Sequence, residues 1–272
     1  MPWSFLAPKR PQWFRWTSIA AGACLLIFLV WTWWVPWAPG RFGGLVAGTL
    51  ATIIFVIDGL YPLRRRLLAW PLRTAQQWLQ FHLYGGIIGS LLVLLHMGFR
   101  WPSGWFGWTL LLLTTWTTAA GLVGVWLQKW IPTLIVNNLT LEALYDRIPD
   151  LVGRLQAQAD AVTAGASEIL DRAYQADIRP ALATVSPSWS YLFDITGTRE
   201  RRMQPLRNIS QFLTEEERTR LGDLQAIVGE KTELDAQLSL QRALRLWLVL
   251  HVPPALLLLA VVAVHILAVV YL

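Results

Sequence analysis

Five long apolar runs leave this chain few ways to fold. They cover roughly residues 17–36, 42–60, 79–99, 105–127 and 245–271. A helix needs about 20 apolar residues to cross the hydrocarbon core of a bilayer, and each run is long enough. In lipid the backbone must satisfy its own hydrogen bonds, and continuous apolar runs do so as helices. Charged residues make up 15% of the chain, against about 25% in an ordinary soluble domain. The expectation is an all-α integral membrane protein. It is a five-helix transmembrane bundle with a mostly helical cytoplasmic insert between spans four and five. Residues 1–130 hold spans one to four, 131–243 the insert, and 244–272 span five.

Helical periodicity marks the start of the insert, where Leu141, Leu144, Ile148, Leu151 and Leu155 recur on one face. Thr214 with Glu217 three residues later predicts a capping box before another helix. The stretch from Lys231 onward reads as one helix running into span five. Ser186-Pro187 and Gly197 predict a loop or a small non-helical piece.

Charge distribution sets an orientation. Sixteen of the seventeen acids lie between Glu142 and Asp235, which gives residues 131–243 a net charge of −4 and the remainder +10. That excess sits in short runs beside the apolar segments, as it does at a membrane face, so no nucleic-acid partner is implied. Lys9, Arg10 and Arg15 precede span one, and Arg64, Arg65, Arg66 and Arg73 follow span two; the opposite side has only Arg41 and Arg100. The positive-inside rule then puts the N-terminus and the insert in the cytoplasm and the C-terminus on the outer side. The implied location is a bacterial-type inner membrane, crossed several times. Spans three and five run parallel.

Cys24 is the only cysteine. One cysteine excludes an intramolecular disulfide, a CxxCH haem attachment and a Cys-ligated iron–sulfur cluster. No cleavable signal peptide, nucleotide loop or hydrolase constellation is expected.

The four histidines are the chemistry-bearing residues. His82 and His96 lie on span three, His251 and His265 on span five, and each pair is 14 residues apart. Fourteen residues turn a helix by about 1400°, close to four full turns, and rise about 21 Å. Both histidines of a span therefore face nearly the same way. On parallel spans His82 is level with His251 and His96 with His265, so each level offers two facing imidazoles. That is the ligand set of a six-coordinate haem iron, which transfers electrons rather than binding oxygen. Intramembrane ionisable groups are rare and usually functional. Zinc binding, a proton relay and interhelical hydrogen bonding are the alternatives.

Neighbouring residues fit the same expectation. Gly85, Gly86 and Gly89 follow His82 on its face and would leave room for a porphyrin, or for an ordinary helix contact. Pro253 and Pro254 free the carbonyls of Val249 and Leu250 and kink span five near a ligand. Arg73, Arg242 and Arg245 at the inner level, and Arg100 at the outer level, are candidate partners for haem propionates; snorkelling to lipid phosphate is the alternative. Asp58, the only acid in a span, reads as an interfacial, solvated carboxylate or as a proton-entry group. Thr114, Thr115, Thr117 and Thr118 either face the haems or bond backbone carbonyls.

The histidine pattern and the glycines beside the first ligand resemble the dihaem core of the cytochrome b of quinol:cytochrome c oxidoreductases. The resemblance covers spans three to five without the insert, about 75 residues. An extra span precedes the core, and no Pro-Glu-Trp-Tyr motif is present. A second resemblance is to the transmembrane domain of ferric reductases and NADPH oxidases, whose ligands also lie on spans three and five. These resemblances imply two haem b groups, with a quinone as a further small molecule. They imply a subunit passing electrons between a quinone/quinol pool and a redox partner: an iron–sulfur protein, a multihaem cytochrome c or a flavoprotein. A membrane anchor that docks a larger complex through the insert is the competing expectation.

Overall fold

The computed structural model describes residues 11–63, 74–138 and 147–271. All regular structure among them is helical. Five helices are long and apolar enough to cross a membrane: Gln12–Trp34, Phe42–Gly59, Ala75–His96, Trp105–Ile135 and Glu215–Tyr271. In chain order the elements are α1 (Pro11–Trp34), α2 (Phe42–Gly59), α3 (Ala75–His96), α4 (Trp105–Asn138), α5 (Ile148–Thr163), α6 (Glu168–Ala173), α7 (Arg179–Ala183), α8 (Ile195–Ile209) and α9 (Glu215–Tyr271). Short 3₁₀ turns lie at Tyr61–Leu63, Trp189–Leu192 and Ser210–Phe212, and a π turn joins α6 to α7.

The chain forms two compact units, residues 1–126 with 247–272, and residues 127–246. In the first, α2 and α3 pack most closely and run antiparallel. Small side chains on α2 permit the approach: Ala47 and Ala51 are buried with Leu92 and Leu95 of α3, and Cys24 and Phe28 of α1 pack on this cluster. Thr74 and Gln77 form a reciprocal capping box that starts α3 four residues earlier than expected. The helix ends just past His96. Gly98 takes a left-handed φ of +62°, and the amides of Gly98 and Phe99 bond the carbonyls of Leu95 and Leu94 at 2.9 and 3.0 Å. This Schellman closure favours glycine at its left-handed position, and Phe99 follows it in the same region with a φ of +56°. Trp37 donates its indole N–H to the Leu95 carbonyl at 2.7 Å and fixes the same end of the helix.

The second seam of this unit joins α4 to α9. Trp247 donates to the Ala120 carbonyl at 2.7 Å, and Trp116 to the Leu250 carbonyl at 2.8 Å. A Cβ at Gly124 would collide with the Trp247 indole. The threonines of α4 bond backbone: Thr114 to Leu110, Thr117 to Leu113 and Thr118 to Thr114, all within 2.8 Å. Thr118 also meets Ser90 of α3 at 2.6 Å.

The second unit has its own core. Ile148, Val152, Leu155 and Ala159 of α5 meet Leu170, Leu182, Leu206 and Leu224. Leu141 and Leu144, expected on the same stripe, lie outside the described residues. Asp160 accepts from the Tyr174 hydroxyl at 2.6 Å and from Arg179 at 3.2 Å. The Tyr174 bond, followed by Arg179, holds the Asp160 carboxyl below its ordinary value. Residues 231–240 of α9 are buried on every face. Lys231 reaches both carboxylate oxygens of Asp235 at 2.8 Å, Arg202 joins at 2.7 Å, and the Ser186 amide at 2.9 Å.

Several boundaries differ from expectation. Span four ends well past residue 127, since α4 continues to Asn138 and carries Pro132 inside it. The helix entering span five starts at Glu215 rather than Lys231; the intervening segment is amphipathic, with Leu221, Leu224, Ile227 and Val228 in the core of its unit and Glu216, Arg218, Gly222 and Asp223 exposed. Only half of the Thr214–Glu217 box forms, with the Thr214 amide and hydroxyl both donating to Glu217. Gly197 belongs to the first turn of α8, where its amide bonds the Asp194 cap at 2.7 Å.

Candidate functional site: two histidine pairs in the first unit

α3 carries His82 and His96, and the end of α9 carries His251 and His265. The structure brings them together as two pairs. His82 and His251 have ring centroids 6.1 Å apart with an 84° interplanar angle. His96 and His265 have centroids 6.3 Å apart at 82°. This cross-pairing requires the two helices to run parallel.

The separation sets what fits between the two rings. With ring bonds of about 1.33 Å, an imidazole centre lies about 1.1 Å from each ring atom. Nitrogens bonded trans to one first-row metal at about 2.0–2.1 Å therefore put the two centroids about 6.3 Å apart. Rings hydrogen bonded nitrogen to nitrogen at about 2.9 Å would lie about 5.1 Å apart. Both pairs have the wider spacing. Among the described residues, no group of three or more His, Cys, Asp or Glu side chains could hold a bare metal ion. Zinc takes three or four such donors. Two lone imidazoles suit a metal that brings its own equatorial ligands, as haem iron does.

Helix α2 supports both ligands of α3. His96 Nδ1 lies 2.8 Å from the Gly44 carbonyl. A carbonyl only accepts, so Nδ1 carries the proton and Nε2 keeps its lone pair for a metal. Gly48 leaves the space for this ring, because a Cβ there would sit 2.7 Å from His96 Nδ1. One level along, Asp58 Oδ1 lies 3.8 Å from His82 Nδ1. Asp58 is buried, 8% exposed, which overturns its reading as a solvated interfacial group. Tyr61 stacks on His82 at 4.8 Å, Trp247 on His251 at 5.7 Å and Phe106 on His265 at 6.1 Å.

The other candidates are distributed differently. Gly85 and Gly86 face the Asp58 carboxylate, and a Cβ at Gly89 would press 2.8 Å from Phe55. The glycine face of α3 is where α2 packs, the helix-contact alternative stated for it. It is Gly121 of α4 that faces His251, with a Cβ position 3.5 Å from the ring. Arg100 is exposed just beyond α3. Arg242 and Arg245 belong to the second unit, and Arg73 lies outside the described residues. Sequence reasoning missed Gly44 and Gly48, although their four-residue spacing is a recognised signal for close helix approach. The ring-stacking partners Tyr61, Phe106 and Trp247 carry no such signal, because their registers exist only in the packed bundle.

Compared with known proteins, the chain matches no family model, no curated protein and no solved structure.

Proposed function

We propose that this chain is a membrane-embedded dihaem b-type cytochrome subunit. It carries electrons across the membrane between a quinone/quinol pool and a partner redox protein. The observation that carries the reading is the pair of imidazole–imidazole separations, 6.1 and 6.3 Å, each matching two ligands on one iron. His82 with His251, and His96 with His265, would each hold one haem. Bound haem supplies a one-electron ferric/ferrous couple at each level. Two histidines to each haem would leave its iron no open position, which suits electron transfer rather than oxygen binding.

The chain's own residues orient the ligands and shield them. The Gly44 carbonyl fixes the His96 tautomer, and the stacked rings of Tyr61, Trp247 and Phe106 limit rotation of His82, His251 and His265. In the orientation expected from the basic loops, the His82 level is nearer the cytoplasm and the His96 level nearer the outside. The fourteen-residue spacing sets them about 21 Å apart along the helix.

The second unit supports an additional docking role. It has a complete core of its own and leaves Trp189, Phe193 and Phe212 exposed, so the partner would bind there.

Purified protein treated with a short-chain quinol tests the reading. The expected result is a b-type α band in the reduced-minus-oxidised spectrum, developed by the quinol itself. Absence of the band overturns the cytochrome assignment; a band reduced by dithionite and not by quinol overturns the quinone partner alone.

A further inference from the structure

The second unit exposes three aromatic side chains, Trp189, Phe193 and Phe212, and they lie at different places along it. Residues 186–193 form a loop tied to two long helices. From α4, the Trp130 indole donates to the Leu192 carbonyl at 2.8 Å. On α9, the Ser239 hydroxyl accepts from the Ser188 amide at 3.0 Å, and Asp235 accepts from the Ser186 amide at 2.9 Å. Tyr191 and Leu192 are buried, whereas Trp189 and Phe193 are 61% and 74% exposed. Phe212 stands three residues before Glu215, the first residue of α9. Ser239 is 24 residues further along that helix, a rise of about 36 Å.

Helix length sets the depth of the loop. Residues Trp105–Ile135 of α4 are long and apolar enough to cross a membrane. Trp130 is 25 residues from Trp105, a rise of about 38 Å. The hydrocarbon core is about 30 Å thick, and the bilayer with its headgroups about 40–45 Å. A span that begins at one interface therefore reaches the opposite headgroup layer at Trp130. On α9, Ser239 stands six residues before the apolar run at 245–271, about 9 Å of helix. Both helices thus hold the 186–193 loop at the depth where a span leaves the hydrocarbon. Lys129 and Arg242 stand within one turn of Trp130 and Ser239, where basic side chains reach lipid phosphate.

We propose that the 186–193 loop is a membrane-interface anchor, with Trp189 and Phe193 seated in the lipid headgroup layer. Aromatic rings favour this layer, since the ring meets acyl chains while an indole N–H meets headgroups and water. The hydrogen bonds to Trp130, Ser239 and Asp235 hold the loop in place, so the two rings are presented to lipid without ordering a free segment. The inference needs the membrane spans and is independent of the haems. It gives two of the exposed aromatics to lipid and leaves the docking role proposed above to Phe212, at the far end of the helix.

Nitroxide accessibility in the full-length protein tests this. Cys24 is the only cysteine, so a Cys24→Ala background accepts single labels at Trp189→Cys, Phe193→Cys and Phe212→Cys. Each protein is reconstituted into phosphatidylcholine–phosphatidylglycerol vesicles, and collisions with oxygen, which concentrates in lipid, are compared with collisions with a water-soluble nickel chelate. The oxygen-to-nickel ratio is expected to be severalfold higher at 189 and 193 than at 212. Equal ratios at the three positions would place the loop in water and overturn the proposal. Labels at 189 and 193 shielded from both reagents would mean that protein covers them, which overturns it equally. If either aromatic proves necessary for folding, Ser190→Cys, between them, reads the same depth with both rings retained.

Discussion

Trp116 of α4 donates its indole N–H to the carbonyl of Leu250 at 2.8 Å, the acceptor that Pro254 leaves without a helical donor. Proline has no N–H, so the carbonyl four residues earlier loses its usual partner. In an apolar environment an orphaned carbonyl is costly, and neighbouring helices supply the missing donor. The freed carbonyl lies one residue before His251, so the same bond fixes the backbone next to that ring.

This gives a double-mutant cycle. Trp116→Phe is expected to cost about 0.6–1.7 kcal/mol, the range for interhelical hydrogen bonds in membranes. In a Pro254→Ala background the restored amide can take the Leu250 carbonyl, and the cost of Trp116→Phe should fall towards zero. Thermal unfolding of the four proteins in one detergent measures the coupling; additive costs would contradict the assignment.

Gly48 should be intolerant for a reason specific to one level. A Cβ there falls 2.7 Å from His96 Nδ1, whereas nothing lies within 4 Å of one at Gly104. Gly48→Ala is expected to displace the His96 ring and broaden or remove the signal of the His96–His265 haem alone. Gly104→Ala should leave both signals unchanged. Low-temperature difference spectra read the two levels separately, and equal loss of both would count against the register of α2 on α3.

The buried charges of the second unit predict a different asymmetry. Asp235 is fully buried and meets Lys231 and Arg202. Asp235→Ala strands the Lys231 ammonium and should destabilise by about 3–5 kcal/mol, while Lys231→Met with Asp235→Leu should recover much of that loss. Arg202 is partly exposed and can turn to water. Limited proteolysis of the 127–246 region checks both. A double variant as labile as Asp235→Ala would show that the pair contributes more than mutual neutralisation.

The spans and the matched histidines were readable because both depend on local quantities: apolar length, and the 3.6-residue helical period. The support for the histidines was not. Asp58 looked interfacial because it stands at the end of span two, and only the antiparallel register of α2 buries it against His82. Gly85, Gly86 and Gly89 were placed on the correct helix, yet spacing along α3 cannot say whether a porphyrin or α2 occupies their face. The apolar run of span four stops near Leu127 although α4 continues to Asn138, and the helix expected after Thr214 and the one expected from Lys231 are a single helix. Lys231 and Asp235 pair with each other inside a buried stretch of helix, and Arg202 and the Ser186 amide reach Asp235 from other elements, which a one-dimensional pattern does not contain.

Haem content per polypeptide tests the central claim most directly. Purified wild-type protein should hold two haem b groups per chain. His82→Ala or His251→Ala should leave one, His96→Ala or His265→Ala should leave the other, and a cross-level double such as His82→Ala/His265→Ala should leave none. Wild-type protein that folds without haem, or single variants that all keep two, would contradict the account.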